Sequence, residues 1–255
     1  MESYTKIRIS LLILILIFLI LKLKDLLTPK EERFLKAAEN GNLKKIKSML
    51  NKEVNIKTLI NAVDKENNTA LILASKFGYS EIVKILIENG ADIDARNNEN
   101  STALIEASSF YYEVVKILIE NGADINAKDN EGTTPLMNAS TEDDNYEICK
   151  TLIENGANVN DKDLQGDNAL KYASTFLEWD LAIIKLLIES GIEINTQNKD
   201  GYTALMEATI SGNEEIVKVL IENGADINIK NNDGKTALDY AEENDYKSII
   251  ELLKK

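Results

Sequence analysis

The feature that most constrains this chain is a nine-residue phrase, LIENGADIN, which occurs unchanged at Leu118–Asn126 and again at Leu220–Asn228. Looser copies stand at Leu86–Asp94, Leu152–Asn160 and Leu187–Asn195. The copies follow one another about every 33 residues, a period typical of stacked helical repeats. A unit of that length cannot bury its own apolar faces. The pattern therefore predicts an array in which each unit covers its neighbour.

Each copy of the phrase lies in a larger frame of constant spacing. Twelve residues after its glycine comes a threonine or asparagine, and five residues further comes an alanine. These positions are Gly90, Gly122, Gly156, Gly191 and Gly224, then Thr102, Thr134, Asn168, Thr203 and Thr236, then Ala107, Ala139, Ala173, Ala208 and Ala241. An earlier unit supplies Thr69 and Ala74. Threonine is a good helix N-cap, and glycine accepts the left-handed conformation that ends a helix. Each unit is therefore predicted to contain two helices followed by a polar turn.

Six hexapeptides open the first helices and resemble the T-P-L-H-x-A motif of the ankyrin-repeat family. They read TALILA, TALIEA, TPLMNA, NALKYA, TALMEA and TALDYA. The resemblance runs from about residue 31 to the C-terminus. It implies an all-α ankyrin-repeat solenoid of helix-turn-helix units with short β-hairpin loops. In the family, the motif histidine links neighbouring repeats, and here it is replaced by Ile72, Ile105, Met137, Lys171, Met206 and Asp239.

The frame divides the chain into a leader, two caps and five full repeats. An N-terminal hydrophobic segment occupies residues 1–28, and a capping repeat with a polar outer face occupies residues 29–66. The full repeats are 67–99, 100–131, 132–165, 166–200 and 201–233. Residues 234–255 lack the Gly-Ala-Asp tail and are predicted to form the C-terminal cap.

The leader contains an uncharged run at Ile9–Leu21, and the apolar stretch extends over residues 7–23 if flanking lysines snorkel. This length is near the lower limit of about 17 residues for a membrane-spanning helix and also suits a signal peptide. No small-residue cleavage site follows, so we expect an uncleaved signal-anchor that precedes the array as an N-terminal hydrophobic helix. Cleavage followed by export is the alternative for localisation, and a helix docked on the repeats is a weaker one. The side of the membrane stays open.

Composition excludes several kinds of chemistry. The net charge of −14 argues against nucleic-acid binding and favours basic or neutral protein partners. With no histidine and one cysteine, the chain offers neither a histidine base nor a zinc or disulfide framework. Cys149 occupies an apolar-stripe position and is expected to be a buried, structural thiol. We expect no cofactor, no metal and no small-molecule substrate.

All length variation between full repeats falls in the turn between the two helices, and the same turns collect aromatic residues. Insertions in repeat proteins cluster on one face, and tyrosine and tryptophan are frequent interface anchors. We therefore predict a partner-binding ridge, with Tyr202 added from a hairpin tip. The candidates are Phe77, Phe110, Tyr111, Tyr146, Phe176, Trp179 and Tyr202. The alternative is that individual aromatics fold back and cover helix ends.

Together, these observations predict that the protein is a non-catalytic protein–protein interaction scaffold, held at a membrane by its N-terminus. The alternative function is a regulatory or inhibitory subunit of a separately encoded enzyme or toxin. The fold itself does not name the partner.

Overall fold

The computed structural model describes residues 29–52, 55–176 and 181–254, and within them the chain is helical. The first helices of successive units are Lys30–Glu39, Ala70–Lys76, Ala103–Ala107, Pro135–Ala139, Ala169–Phe176, Ala204–Ile210 and Ala237–Glu243. The second helices are Leu43–Leu50, Ser80–Glu88, Tyr112–Glu120, Tyr146–Glu154, Ala182–Glu189, Glu214–Glu222 and Lys247–Leu253. A 3-10 turn, Asp143–Asn145, precedes the second helix of repeat 132–165.

Local sequence explains where the first helices begin. The threonine hydroxyls of the frame accept the N–H of the third helical residue, as Thr102 does from Ile105 at 3.3 Å. Asn168 replaces threonine once and accepts from the N–H of Lys171 at 3.0 Å. Such a bond satisfies one of the N–H groups that a helix leaves unpaired at its start.

The core runs along the stack and has no single centre. The frame alanines, from Ala74 to Ala241, are all 0 % exposed. These positions hold alanine because larger side chains would push the stacked helices apart. The second helices of the four repeats from 67–99 to 166–200 each contribute three buried residues, such as Ile82, Val83 and Leu86. Other apolar residues of these helices, such as Ile85 and Ile87, are half-buried against the core. Because a repeat in the array packs against the repeat before it and the repeat after it, the same apolar positions recur along the chain.

The loops between repeats differ from the predicted β-hairpins. The described residues form no β-strand, and their one isolated bridge joins Val63 and Thr69. Instead, an Asp or Asn side chain closes each five-residue loop. Asp129 accepts the N–H groups of Glu131 and Thr133 at 2.9 and 2.8 Å, and Gly132 supplies a φ of +82°. One backbone bond also spans this loop, from the N–H of Asp129 to the carbonyl of Thr133 at 3.2 Å, but no ladder of such bonds continues from it in the described residues.

Backbone hydrogen bonds join adjacent loops. One example is the bond of 2.9 Å from the N–H of Asn130 to the carbonyl of Glu99 in the preceding repeat. Equivalent bonds of 2.7 to 3.0 Å occur at four further junctions, with donors Asn98, Leu164, Lys199 and Asn232. The loops therefore form a regular row along one edge of the solenoid.

The N-terminal cap contains more structure than the motif requires. The additional residues before the first full repeat include a short helix, Ile56–Ile60, which buries Leu59 and Ile60. In the described part of the chain, no helix is long and apolar enough to span a bilayer. The apolar stretch predicted at residues 7–23 lies outside the described residues.

Candidate partner-binding surface

The aromatic residues of the variable turns have different environments. Tyr79 and Tyr111 occupy the N-cap position of their second helices, and each is half-buried. The ring of Tyr111 lies so close to Gly78 in the preceding repeat that a Cβ built there would meet it at 2.4 Å. Tyr79 covers Gly41 in the same manner. These tyrosines pack between repeats, so the predicted contact residue Tyr111 has a structural role in this junction.

Tyr146 and Tyr202 are also half-buried against the core. The hydroxyl of Tyr202 lies 2.7 Å from that of Tyr240 in the C-terminal cap, and their ring centroids are 5.8 Å apart. Tyr202 therefore joins the last full repeat to the cap. Desolvation, together with the bond to Tyr202, raises the pKa of Tyr240 to about 12. The side chain of Phe176 and all of Trp179 lie outside the described residues.

Phe77 and Phe110 have exposed side chains, with exposed fractions of 41 % and 63 %. Both belong to a groove of about 450 Å³ between the loops and the first helices of repeats 67–99, 100–131 and 132–165. The groove is lined by Lys76, Phe77, Glu99, Ser101, Ile105, Glu106, Ser109, Phe110, Tyr111, Asp129 and Asn138. The structure thus brings together two of the seven predicted contact residues in exposed positions, and a third, Tyr111, also lines the groove.

Phe110 also borders a second groove of about 480 Å³, on the side of the 3-10 turn. Its lining consists of Phe110, Tyr112, Glu142, Asp143, Asp144, Asn145, Glu147 and Ile148. Tyr112 is 40 % exposed. The inserted turn is fixed to the preceding repeat by Asn145, whose amide donates to the carbonyl of Ser109 at 2.8 Å. Four carboxylates of repeat 132–165 therefore line the same groove as the exposed rings of Phe110 and Tyr112. The bond from Asn145 fixes the position of the turn that carries most of them.

Sequence reasoning did not identify Ser101 or the carboxylates of the inserted turn as part of this surface. The run TEDDN at residues 141–145 was a visible signal, because it combines an insertion with three consecutive acids. Ser101 had no such signal, since its place beside the groove depends on how the repeats stack.

In repeat 166–200, the position that the family fills with histidine is occupied by Lys171, which forms ion pairs. The ammonium of Lys171 lies 3.0 Å from carboxylate oxygens of both Asp167 and Glu207, and the second contact crosses to the next repeat. Desolvation alone would lower the pKa of Lys171. The hydrogen bond and charge of Glu207, assisted by Asp167, outweigh it and raise that pKa. Lys171 therefore supplies a charged inter-repeat link.

The described residues contain no group of three potential metal-ligating side chains. The thiol of Cys149 is 0 % exposed, and burial raises its pKa to about 12, against a weaker opposing effect of Ser140. A thiol that stays protonated is a poor nucleophile.

Stacked helix pairs and side-chain-closed loops define a helical-repeat solenoid. The particular family follows from the sequence profile described as "Ankyrin repeats (3 copies)", which matches residues 34–129, 92–163, 107–198 and 170–255. The chain belongs to the ankyrin-repeat family, whose repeats are protein–protein interaction scaffolds.

Individual relatives share only part of this chain. The Notch-regulated ankyrin repeat-containing protein of Xenopus tropicalis is 36 % identical over 78 residues, which cover 30 % of this chain and 68 % of the relative. The human protein of that name is 34 % identical over 77 residues, with the same coverage of 30 % and 68 %. The E3 ubiquitin-protein ligase XBAT32 of Arabidopsis thaliana is 34 % identical over 76 residues, or 30 % of this chain and 15 % of the ligase.

Proposed function

We propose that this protein is a non-catalytic scaffold that binds a protein partner through the grooved face of repeats 67–99 to 132–165. A single observation carries the proposal: Phe77 and Phe110 are exposed on the same groove while neighbouring tyrosines are packed between repeats. Aromatic side chains that line a surface groove are characteristic binding anchors.

The construction of the array suits such a role. The turn that carries Phe110 is held from below, because Tyr111 is fixed against Gly78 and Ser109 accepts the Asn145 amide. A surface fixed before binding loses little conformational entropy when the partner arrives. The scaffold thus presents its anchors without rearrangement.

Photo-crosslinking tests the surface directly. The full-length protein would carry p-benzoylphenylalanine in place of Phe110, in the cells that normally express it. The matched control places the same residue at Glu120, which is exposed at the end of the neighbouring second helix. We expect covalent partner adducts from position 110 and none from position 120. Equal adducts from both positions, or none from position 110, would contradict the proposal.

A second measurement separates binding from folding. With the crosslinked partner purified, the double variant Phe77→Ala and Phe110→Ala should weaken affinity by about tenfold or more, as loss of a hot spot does. The thermal midpoint should stay close to that of the parent protein, since both rings are exposed. Tyr111→Ala should lower the midpoint, because its ring packs between repeats. A double variant that loses stability in proportion to affinity would make Phe77 and Phe110 structural.

The membrane attachment of this scaffold is part of the proposal and rests on the uncharged run Ile9–Leu21. The test is fractionation of cells that make the full chain or a variant with Leu14→Lys and Leu16→Lys. Signal-anchor function requires the parent chain in the membrane fraction at its full mass, and the lysine variant outside it. A parent chain shortened by about 25 residues would instead indicate cleavage. Protease treatment of intact cells would then report on which side the repeats lie.

A further inference from the structure

The groove beside Phe110 contains a polar group that the fold leaves unused. Ser101 lines this groove and is 3 % exposed, yet its hydroxyl has no hydrogen-bond partner in the described part of the chain. Buried hydroxyl groups are nearly always paired, because desolvation without a hydrogen bond costs free energy. Ser75 and Ser174 also have unpaired hydroxyls but line neither groove, whereas that of Ser101 belongs to a groove with two exposed rings, where a ligand can supply the missing hydrogen bond.

Most of the charged side chains that line the two grooves are acidic. The first groove contains Glu99, Glu106 and Asp129, and its cation Lys76 already pairs with Glu106 at 3.3 Å. The residues that line the second groove, all of them described, comprise four acids and no base. Phe110 lies on the boundary between the two grooves, so one bound segment can contact both.

We infer that the partner segment bound here is a basic peptide. One apolar side chain packs between Phe77 and Phe110, and the peptide backbone forms a hydrogen bond with the Ser101 hydroxyl. A lysine or arginine of the same segment lies over Phe110 and Tyr112, among the carboxylates of Glu142, Asp144 and Glu147. A cation against an aromatic face gains from both the ring and the nearby negative charge. This inference rests on the proposed function, because it names the partner chemistry of the same surface.

The test starts from peptides selected on the intact protein. A phage-displayed library of random peptides is panned on the full chain in detergent, and selected sequences are synthesised with a fluorescent label. For each peptide, an analogue replaces its lysine or arginine by norleucine, which keeps the length and removes the charge. Affinities are measured by fluorescence anisotropy.

The protein variants are matched in charge. The groove variant carries Glu142→Gln, Asp144→Asn and Glu147→Gln. The control carries Glu88→Gln, Glu120→Gln and Glu222→Gln, three exposed acids at equivalent positions on second helices of other repeats. We expect the groove variant to bind the basic peptide about tenfold more weakly and the control to stay within about twofold. The norleucine analogue should bind weakly and equally to all three proteins.

Ser101→Ala supplies an independent measurement. It should weaken the basic peptide severalfold while leaving the unfolding midpoint unchanged or slightly raised, since it removes an unpaired hydroxyl. Selected peptides without enriched lysine or arginine, or a groove variant that binds as the control does, would overturn the inference and leave the scaffold function intact. A library that yields no peptide sensitive to Phe77→Ala and Phe110→Ala would contradict the proposed function itself.

Discussion

The Oδ1 atom of Asn126 accepts a hydrogen bond of 2.8 Å from the backbone N–H of Asn158, in the following repeat. Its Nδ2 atom donates to the carbonyl of Gly156 at 3.2 Å, so one side chain bridges the junction twice. The last residue of the repeated phrase is thus a link between units. At the equivalent place in the second exact copy, Asn228 bonds to Asp226 within its own loop, and in the described residues it forms no bond to the following unit.

This contrast makes a matched pair of variants. We expect Asn126→Ala to lower the free energy of unfolding by about 1 kcal/mol, because two partly exposed hydrogen bonds are lost. Asn228→Ala removes the same side chain from the same phrase and should change it by less than about 0.5 kcal/mol. Urea titration followed by far-ultraviolet circular dichroism measures both. Equal losses would mean that the asparagine acts within its own turn.

The packing of Tyr111 on Gly78 gives a second prediction. Gly78 has a φ of +73°, and a Cβ there would meet the tyrosine ring at 2.4 Å, whereas Gly122 has a φ of +85° and open space. Gly122→Ala should cost about 1 kcal/mol of stability from left-handed backbone strain alone. Gly78→Ala should cost about 2 kcal/mol or more, since overpacking adds to the strain.

A double-variant comparison isolates the contact with the ring. In a Tyr111→Ala background, the two glycine substitutions should become equally costly, because the clash has gone. If the excess cost of Gly78→Ala persists without the ring, another contact must be responsible. The thermal and urea midpoints of the four variants provide the comparison.

The sequence predicted the parts of this fold that depend on local chemistry. Threonine N-caps such as Thr102 begin the first helices, and the frame alanines are buried, because both properties recur at fixed spacing in every repeat. It did not predict which turn aromatics would be exposed. Phe110 and Tyr111 are adjacent in the chain, but the tyrosine is held by Gly78 from another repeat, and no local pattern records that contact.

The loops show a second limit of the sequence. Their polar residues resembled those of hairpin turns, and the prediction of β-hairpins was wrong. The loop from Asp129 to Thr133 is closed by the Asp129 carboxylate and by one backbone bond, and no further backbone pairing follows it in the described residues. Asp and Asn favour both kinds of turn, so composition alone does not distinguish them.

The third prediction concerns Lys171, and the equivalent residues of other repeats indicate which substitution to make. Methionine stands at the equivalent positions 137 and 206, so Lys171→Met keeps the shape of the repeat and removes the charge. The side chains of Asp167 and Glu207, 16 % and 17 % exposed, would lose their cation. We expect a loss of about 1–2 kcal/mol in the free energy of unfolding.

The matched control adds Glu207→Gln to Lys171→Met. Removing one of the two stranded carboxylates should recover much of the lost stability, because the amide needs no counter-ion. Urea titration near neutral pH would decide between the cases. A single variant as stable as the parent would show that the inter-repeat ion pair contributes little.

Cys149 provides the last prediction, through the pH dependence of stability. Burial raises its thiol pKa from 9.0 to about 12 in the folded chain. Below pH 9 the thiol is protonated whether the chain is folded or unfolded, so its contribution is complete there. Between pH 9 and about 12 only the unfolded chain ionises, and stability should fall by about 1 kcal/mol per pH unit.

Cys149→Val is the appropriate control, because Val83, Val115, Ile184 and Val217 fill the equivalent position in the other full repeats, each 0 % exposed. Lysine and tyrosine residues also titrate above pH 9, so the quantity to measure is the difference between the parent and variant stability curves. That difference should be flat below pH 9 and should then grow steadily in favour of valine. Dithiodipyridine should label the parent only in denaturant, since the native thiol is both covered and protonated. Rapid labelling of the native protein, or a difference that stays flat up to pH 11, would show that the thiol becomes accessible to solvent.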